Sequence, residues 1–264
     1  YNCNIHLIYI YKLNMAKKTS NSSPFSSNYE KNNLKKLKDL FKQNPIGDDL
    51  INELSLFLKR QNLMRILFLD EIYRKILNTE GHIVEFGCKW GSNLAIYTAL
   101  RGIYEPYNHN RKVLAFDTFK GIKGYGKKDK LAIAKDGSYS TRKGHEKKLG
   151  EILNILENFC PIPHIKKHYL IKGDVRKTLL PYLKKNKHAV FSLIYLDMDL
   201  YAPTKFVLKK ILPFVTKGTV IVFDESNWSA FPGPTLALDE VFGKKKYKLN
   251  KSKFQPIPSY IVLN

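Results

Sequence analysis

Five short apolar runs, at residues 83–86, 113–116, 169–171, 191–196 and 220–223, are continuous rather than alternating in polarity. A strand can be apolar at every position only when both of its faces are covered, as in a parallel sheet flanked by helices. Between the runs, residues 93–100, 151–159, 176–183 and 204–212 place apolar side chains at helical spacing. Strand and helix alternating in this way predict an α/β fold, a doubly wound and mostly parallel Rossmann-like sheet. Residues 247–249 and 260–263 flank a Lys- and Pro-rich link, which predicts a terminal hairpin antiparallel to the sheet edge and brings the strands to seven.

The chain ahead of the first run divides in two. Residues 17–31 are mainly Ser, Asn and Lys, too polar to bury anything, and predict a mobile arm. Because Met15-Ala16-Lys17-Lys18 resembles a start of translation, residues 1–14 are expected to be upstream sequence. Residues 34–41, 48–58 and 62–77 have helical spacing. The expected organisation is an arm at 1–31, a helical elaboration at 32–78 and a catalytic domain at 79–264.

Charge and cysteines narrow the partners. Lys and Arg outnumber Asp and Glu by 45 to 23, a net +22 that invites a nucleic-acid reading. Against it, the basic residues are 38 Lys and only 7 Arg, whereas base and phosphate recognition favours the planar guanidinium. The Lys-rich stretches 120–148 and 244–253 suit solvated loops, or a funnel for a diphosphate, at least as well. Cys3, Cys88 and Cys160 are odd in number and far apart, so they build neither a disulfide framework nor a zinc site, and a reducing cytoplasmic setting is expected. No apolar run approaches the roughly 20 residues that span a bilayer. Neither a nucleic acid nor a membrane is therefore expected as a partner, and residues 62–77 with the arm are the expected contacts of a homo-oligomer.

Ligands of doubly wound sheets bind outside the carboxyl ends of the strands. The first run leads into Glu85-Phe86-Gly87-Cys88-Lys89-Trp90-Gly91-Ser92-Asn93. Gly87 and Gly91 permit a sharp turn and close approach to a ligand, and a helix opening at Ser92 would point free N–H groups toward it. The spacing departs from the dinucleotide G-x-G-x-x-G pattern, which argues against NAD and leaves an ordinary turn open. Glu85 ends an apolar strand, a costly place for a carboxylate unless it meets something polar.

Asp117, before Thr118 and Phe119, stands where a ribose diol would lie or caps a helix. Asp174, before Val175, suits an adenine amine, a helix cap, or both. The fourth and fifth runs end in Asp197-Met198-Asp199 and Asp224-Glu225. Adjacent strands would bring Asp197, Asp224 and Glu225 together, and unpaired carboxylates so close call for a cation, with Mg²⁺ or Ca²⁺ suited to oxygen ligands. Separate caps and surface ion pairs are the alternative.

At these residues the sequence resembles the macrocin O-methyltransferase (TylF-like) family, most nearly its calicheamicin-type deoxysugar O-methyltransferases. The matching segments run in order from Val84-Glu85-Phe86-Gly87-Cys88-Lys89-Trp90-Gly91 through Leu100-Arg101-Gly102, Phe116-Asp117-Thr118-Phe119-Lys120-Gly121 and Gly173-Asp174-Val175-Arg176 to Asp197-Met198-Asp199-Leu200-Tyr201-Ala202-Pro203-Thr204 and Phe223-Asp224-Glu225. They span about residues 60–242.

The resemblance implies the class I methyltransferase fold, with S-adenosylmethionine held at Glu85, Gly87, Gly91, Ser92, Asn93, Asp117, Thr118, Phe119, Asp174 and Val175. It implies Mg²⁺, or another divalent cation, at Asp197, Asp224 and Glu225, beside a sugar or nucleotide-sugar hydroxyl. Where many relatives carry Asp-Asp, this chain has Asp224-Glu225. Asp197 or Asp199 is the expected base. A catechol or other diol is a competing acceptor, and Trp90, Trp228 and Phe231 could stack on either ring or simply pack. His145 lacks a counterpart in the family and is expected to be exposed.

Overall fold

Neighbouring residues of each apolar run face opposite layers of helices, which is why polarity does not alternate. The computed structural model describes residues 26–130, 133–244 and 246–264. The expectation for residues 1–14, and the arm as far as residue 25, lie outside the described residues. The chain divides into two compact units, Tyr1–Arg60 and Gln61–Asn264.

In the first unit, helix α1 (Asn28–Gln43) begins inside the stretch expected to be arm. Its start is fixed by a capping box: the Glu30 amide donates to Ser27 Oγ at 3.2 Å, and the Ser27 amide donates to Glu30 Oε2 at 2.8 Å. Residues 48–58, expected as a helix, form two 3₁₀ turns, Gly47–Ile51 and Leu54–Phe57. Ile51, Leu54 and Leu56 are exposed there, so no buried stripe supports a longer helix.

Helix α2 (Arg60–Lys75), which belongs to the second unit from Gln61 onward, leads into a seven-stranded sheet. Its strands are β1 (His82–Phe86), β2 (Val113–Asp117), β3 (His168–Lys172), β4 (Phe191–Leu196), β5 (Val215–Phe223), β6 (Asn250–Lys251) and β7 (Ser259–Val262). Their order is β3-β2-β1-β4-β5-β7-β6, with β1 to β5 parallel and β7 antiparallel to both neighbours. The doubly wound sheet and its terminal hairpin are as expected. The first hairpin strand lies a little later than 247–249, because Tyr247 packs on Phe242 and donates its hydroxyl to Asp239.

Helices α3 (Ser92–Tyr104), α4 (His145–Asn158), α5 (Val175–Lys185) and α6 (Tyr201–Ile211) fill the crossovers, and α7 (Gly233–Phe242) was not foreseen. Ile83, Val113, Ala115, Leu193, Tyr195, Val220 and Val222 pack with residues of α2, α3 and α4. Val84, Leu114, Phe116, Ile194, Leu196, Ile221 and Phe223 pack with α5, α6 and α7. This parity decides the direction of the acids that follow. Among the described residues no helix is long and apolar enough to cross a membrane.

Candidate active site

The carboxyl ends of β1 to β5 meet in one cleft, and Gly87 explains how closely. A Cβ there would overlap the Asp197 carbonyl oxygen and lie 2.7 Å from its carbon, and Gly87 has φ +91°. Only glycine combines that approach with that dihedral. The Asp197 amide donates to Phe86 O at 2.8 Å and the Gly87 amide to Phe116 O at 2.9 Å, so β1, β2 and β4 are tied where they end. Lys89, Phe119, Tyr139, Asp199 and Asn227 also have positive φ, a concentration of unfavourable backbone around one site.

Of the residues expected at the cofactor, Gly87, Asp117, Thr118, Asp174 and Val175 line the cleft. Asp117 accepts from the Lys89 amide at 2.7 Å and from the Phe119 amide at 2.6 Å, so it fixes two loops rather than capping a helix. Asp174 caps α5: its Oδ1 accepts from the Arg176 amide at 3.0 Å, and its Oδ2 pairs with the Arg176 guanidinium at 2.6 Å. Gly91, Ser92, Asn93 and Phe119 do not line the cleft. Gly91, with φ +82°, brings the start of α3 against Leu149.

Glu85 does not line the cleft. Its position shares the parity of Ile83, so it turns toward the α2 and α3 layer, 1% exposed, and accepts from Asn93 Nδ2 at 2.6 Å. It meets a polar network instead of the cleft. Burial pushes its carboxyl up to about 8, against the lowering effect of Arg65 and Asn93.

The acid cluster also differs from the expected set. Carboxylate oxygens of Asp197, Asp199 and Glu225 all lie within 4.8 Å of one another, and Asp224 adjoins Glu225. Arg65 of α2 reaches this cluster. Its Nη1 lies 2.5 Å from Asp224 Oδ1, its Nη2 3.9 Å from Asp197 Oδ2, and its Nε donates to Asn93 Oδ1 at 3.2 Å. The Tyr195 hydroxyl donates to the same Asp224 oxygen.

Burial would raise Asp224, but Arg65 and Tyr195 outweigh it and hold the carboxyl below its ordinary range. Burial and the neighbouring acids hold Asp197 and Glu225 well above that range, and Asp199, which burial raises most, reaches about 7. Glu225 Oε2 is buried without a hydrogen-bond partner. Four acids with Arg65 as their ion-pair partner among the described residues leave an excess of negative charge, and the donor set is all oxygen, which fits Mg²⁺ or a similar hard cation.

Lys123 and Tyr139 reach the cleft from the segment after β2, and Trp228 and Phe231 from the segment after β5, their rings 5.3 Å apart. Trp90 is 46% exposed outside the cleft, edge-on to His145 at 4.8 Å. His145 is half-buried at the start of α4, not exposed as expected. Arg65 went unnoticed in the sequence, although a signal existed. It falls three and four residues before Phe68 and Leu69, on the stripe that continues with Ile72 and Tyr73 into the core, a position where a charge needs a partner.

Neither a protein family model nor a curated protein matches the chain. Solved structures do. A calicheamicin methyltransferase, CalS11, superposes with a TM-score of 0.87 at 34% identity, over 93% of this chain and 99% of that one. The apo form of CalS11, described as a TDP-rhamnose 3'-O-methyltransferase of calicheamicin biosynthesis, gives 0.79 at 35% identity over 90% and 95%. The O-methyltransferase NovP gives 0.59 at 18% identity over 76% and 80%, a likeness of fold alone.

Proposed function

This chain belongs to the family of the calicheamicin sugar O-methyltransferases and is an S-adenosylmethionine-dependent O-methyltransferase, and on that premise we propose that it methylates a hydroxyl of a sugar, free in a glycoside or carried on a nucleotide, with a divalent cation at the acid cluster. The convergence of Asp197, Asp199 and Glu225 in the same cleft as the Gly87 turn carries this reading. Asp224, also in the expected ligand set, adjoins Glu225 while Arg65 and Tyr195 occupy its Oδ1.

S-adenosylmethionine, when bound, supplies an electrophilic methyl group on sulfur, and the turn at Gly87 with Asp117, Thr118, Asp174 and Val175 would hold it. A divalent cation, when bound, lowers the pKa of a coordinated hydroxyl and orients it. The remaining tasks belong to the chain. The cleft has to bring the acceptor oxygen about 3 Å from the methyl carbon, and alignment of that kind supplies on the order of 7 kcal/mol. Asp197 or Asp199 takes the proton as the oxygen–carbon bond forms and the carbon–sulfur bond breaks, leaving S-adenosylhomocysteine. Trp228 and Phe231 cover the acceptor face and limit water. Lys89 and Lys123 in the wall, with Lys120, Lys127 and Lys128 in the same segment, favour an acceptor with a diphosphate.

A catechol or similar diol is the second reading, supported by the paired rings of Trp228 and Phe231. The exposed apolar side chains Leu40, Phe41, Ile51, Leu54 and Leu56 support self-association through the first unit. Thermal-shift titration tests the class of ligand. S-adenosylhomocysteine with Mg²⁺ is expected to raise the melting temperature, and a nucleotide-sugar to raise it further. Stabilisation by an oligonucleotide alone would count for a nucleic-acid binder, and full activity in excess EDTA would remove the cation.

A further inference from the structure

We propose that Asp129 is a positioning residue for the acid cluster: from the segment after β2 it caps helix α6, and so fixes the Asp197-Met198-Asp199 turn that leads into that helix. The inference rests on the cation reading given above. Asp129 ends a 3₁₀ turn, Lys127–Asp129, and is 1% exposed. It has no ion pair among the described residues, and a carboxylate buried in that state is costly unless hydrogen-bond donors hold it. Two amides do so. Its Oδ1 accepts from Tyr201 at 2.8 Å and its Oδ2 from Gly126 at 3.0 Å. The Tyr201 amide is the first of α6, and Leu200 before it provides no side-chain cap. Asp129, 72 residues earlier in the chain, supplies one, with its negative charge at the positive end of the helix.

The capped amide lies two residues past Asp199, whose φ of +61° is a backbone state that its surroundings must hold in place. The Leu200 amide donates to Met198 O at 2.7 Å, so the chain turns tightly between acid and cap, and a shift at Tyr201 is passed to Asp199. The start of α7 closes around the same bond. A Cβ on Gly233 would lie 2.2 Å from Asp129 Oδ1 and 2.4 Å from the Tyr201 nitrogen. Nearby, the Ile133 amide donates to Ala230 O at 3.1 Å, which ties the segment after β2 to the one that carries Trp228 and Phe231. Three segments that shape the cleft therefore meet at one carboxylate. The cofactor side is secured separately, by Asp117 and its bonds from the Lys89 and Phe119 amides, so loss of Asp129 acts on the acids.

Mn²⁺ affinity measured by electron paramagnetic resonance on the full chain tests this, with S-adenosylhomocysteine affinity measured by calorimetry alongside. Asp129→Ala is expected to weaken Mn²⁺ binding about tenfold or more and to leave S-adenosylhomocysteine within about threefold of the parent. Asp129→Asn keeps an acceptor for the Tyr201 amide, and its Mn²⁺ affinity is expected within about threefold of the parent. Tyr201→Pro removes the amide from the other end of the bond. Leu200 is already extended, at φ −117° and ψ 151°, and a first helical position accepts proline, so α6 itself is preserved. Tyr201→Pro is expected to match Asp129→Ala, whereas Tyr201→Ala, which loses the ring and hydroxyl but keeps the amide, is expected to match the parent. Should Asp129→Ala fail to fold by near-ultraviolet circular dichroism, the two Tyr201 variants decide alone. Parent-like Mn²⁺ affinity in folded Asp129→Ala or Tyr201→Pro overturns the proposal and leaves the cation reading in place. So does a loss as large in Tyr201→Ala as in Tyr201→Pro, or as large in Asp129→Asn as in Asp129→Ala. Absence of Mn²⁺ binding in the parent overturns both.

Discussion

Replacing Gly87 by alanine tests the close contact on which the site is built. The new Cβ would overlap the carbonyl oxygen of Asp197 and stand 2.7 Å from its carbon, where carbon atoms normally rest about 3.5 to 4.0 Å apart. The ends of β1 and β4 must therefore separate by about 1 Å. The Asp197 amide bond to Phe86 O, 2.8 Å in the native protein, lies across that gap, and its loss costs about 1 kcal/mol. An L-residue held at φ +91° adds about 1 to 2 kcal/mol. The sum, about 2 to 3 kcal/mol, is to be read by urea denaturation. A 1 Å displacement of Asp197 should also lower kcat/KM by about two orders of magnitude. Gly243→Ala is the control, with φ +77° but its nearest outside atom, Lys246 Cδ, at 3.8 Å, so that only backbone strain of about 1 kcal/mol and no loss of turnover are expected. If Gly87→Ala matches that control in both stability and kcat/KM, the contact does not govern the site.

Asp197→Asn and Asp199→Asn should each lower kcat by about two orders of magnitude or more, with S-adenosylhomocysteine affinity by calorimetry within about threefold of the parent. Wild-type turnover in both would exclude them as the base. Glu157 gives a pH prediction. Burial would raise it, but the neighbouring His168, the Lys167 ion pair at 2.9 Å and the Arg101 hydrogen bond outweigh that and hold its carboxyl at about 2. A depressed native pKa adds stability that is fully present above the unfolded value near 4.3 and lost as pH falls toward 2, a contribution of about 3 kcal/mol. Acid denaturation of Glu157→Gln should therefore show a flatter pH dependence between those values, and an unaltered slope would contradict it. Raising the ionic strength should increase KM for a nucleotide-linked acceptor and leave kcat nearly constant, because the lysines near the cleft act over a Debye length of about 10 Å at 0.1 M salt. A KM independent of salt would argue against their role.

The sheet was legible because its evidence is local. Continuous apolar runs announce strands covered on both faces, and the acids that follow them mark the ligand end. The first unit was harder. The arm hid a helix start because Ser27 and Glu30 work through a reciprocal cap rather than through burial, and residues 48–58 have helical spacing with nothing to pack against. At the site, the strand ends do bring Gly87, Asp117, Asp174, Asp197 and Glu225 to one cleft, but the direction of each side chain was harder to read. Parity alone would have sent Glu85 away from the cleft with Ile83, since residues two apart share a face. The hold of Arg65 on Asp224 could not be read in the same way, because the two lie more than 150 residues apart and no spacing rule connects them.

The central claim is methyl transfer to a sugar oxygen, and carbon-13 NMR tests it most directly. The protein is incubated with S-adenosylmethionine labelled at the methyl carbon, Mg²⁺ and a panel of nucleotide-linked deoxysugars. The account predicts a new methoxy resonance coupled to a sugar ring proton, dependent on Mg²⁺ and lost in Asp197→Asn. Label appearing on a catechol or an oligonucleotide, with none on any sugar, would contradict it.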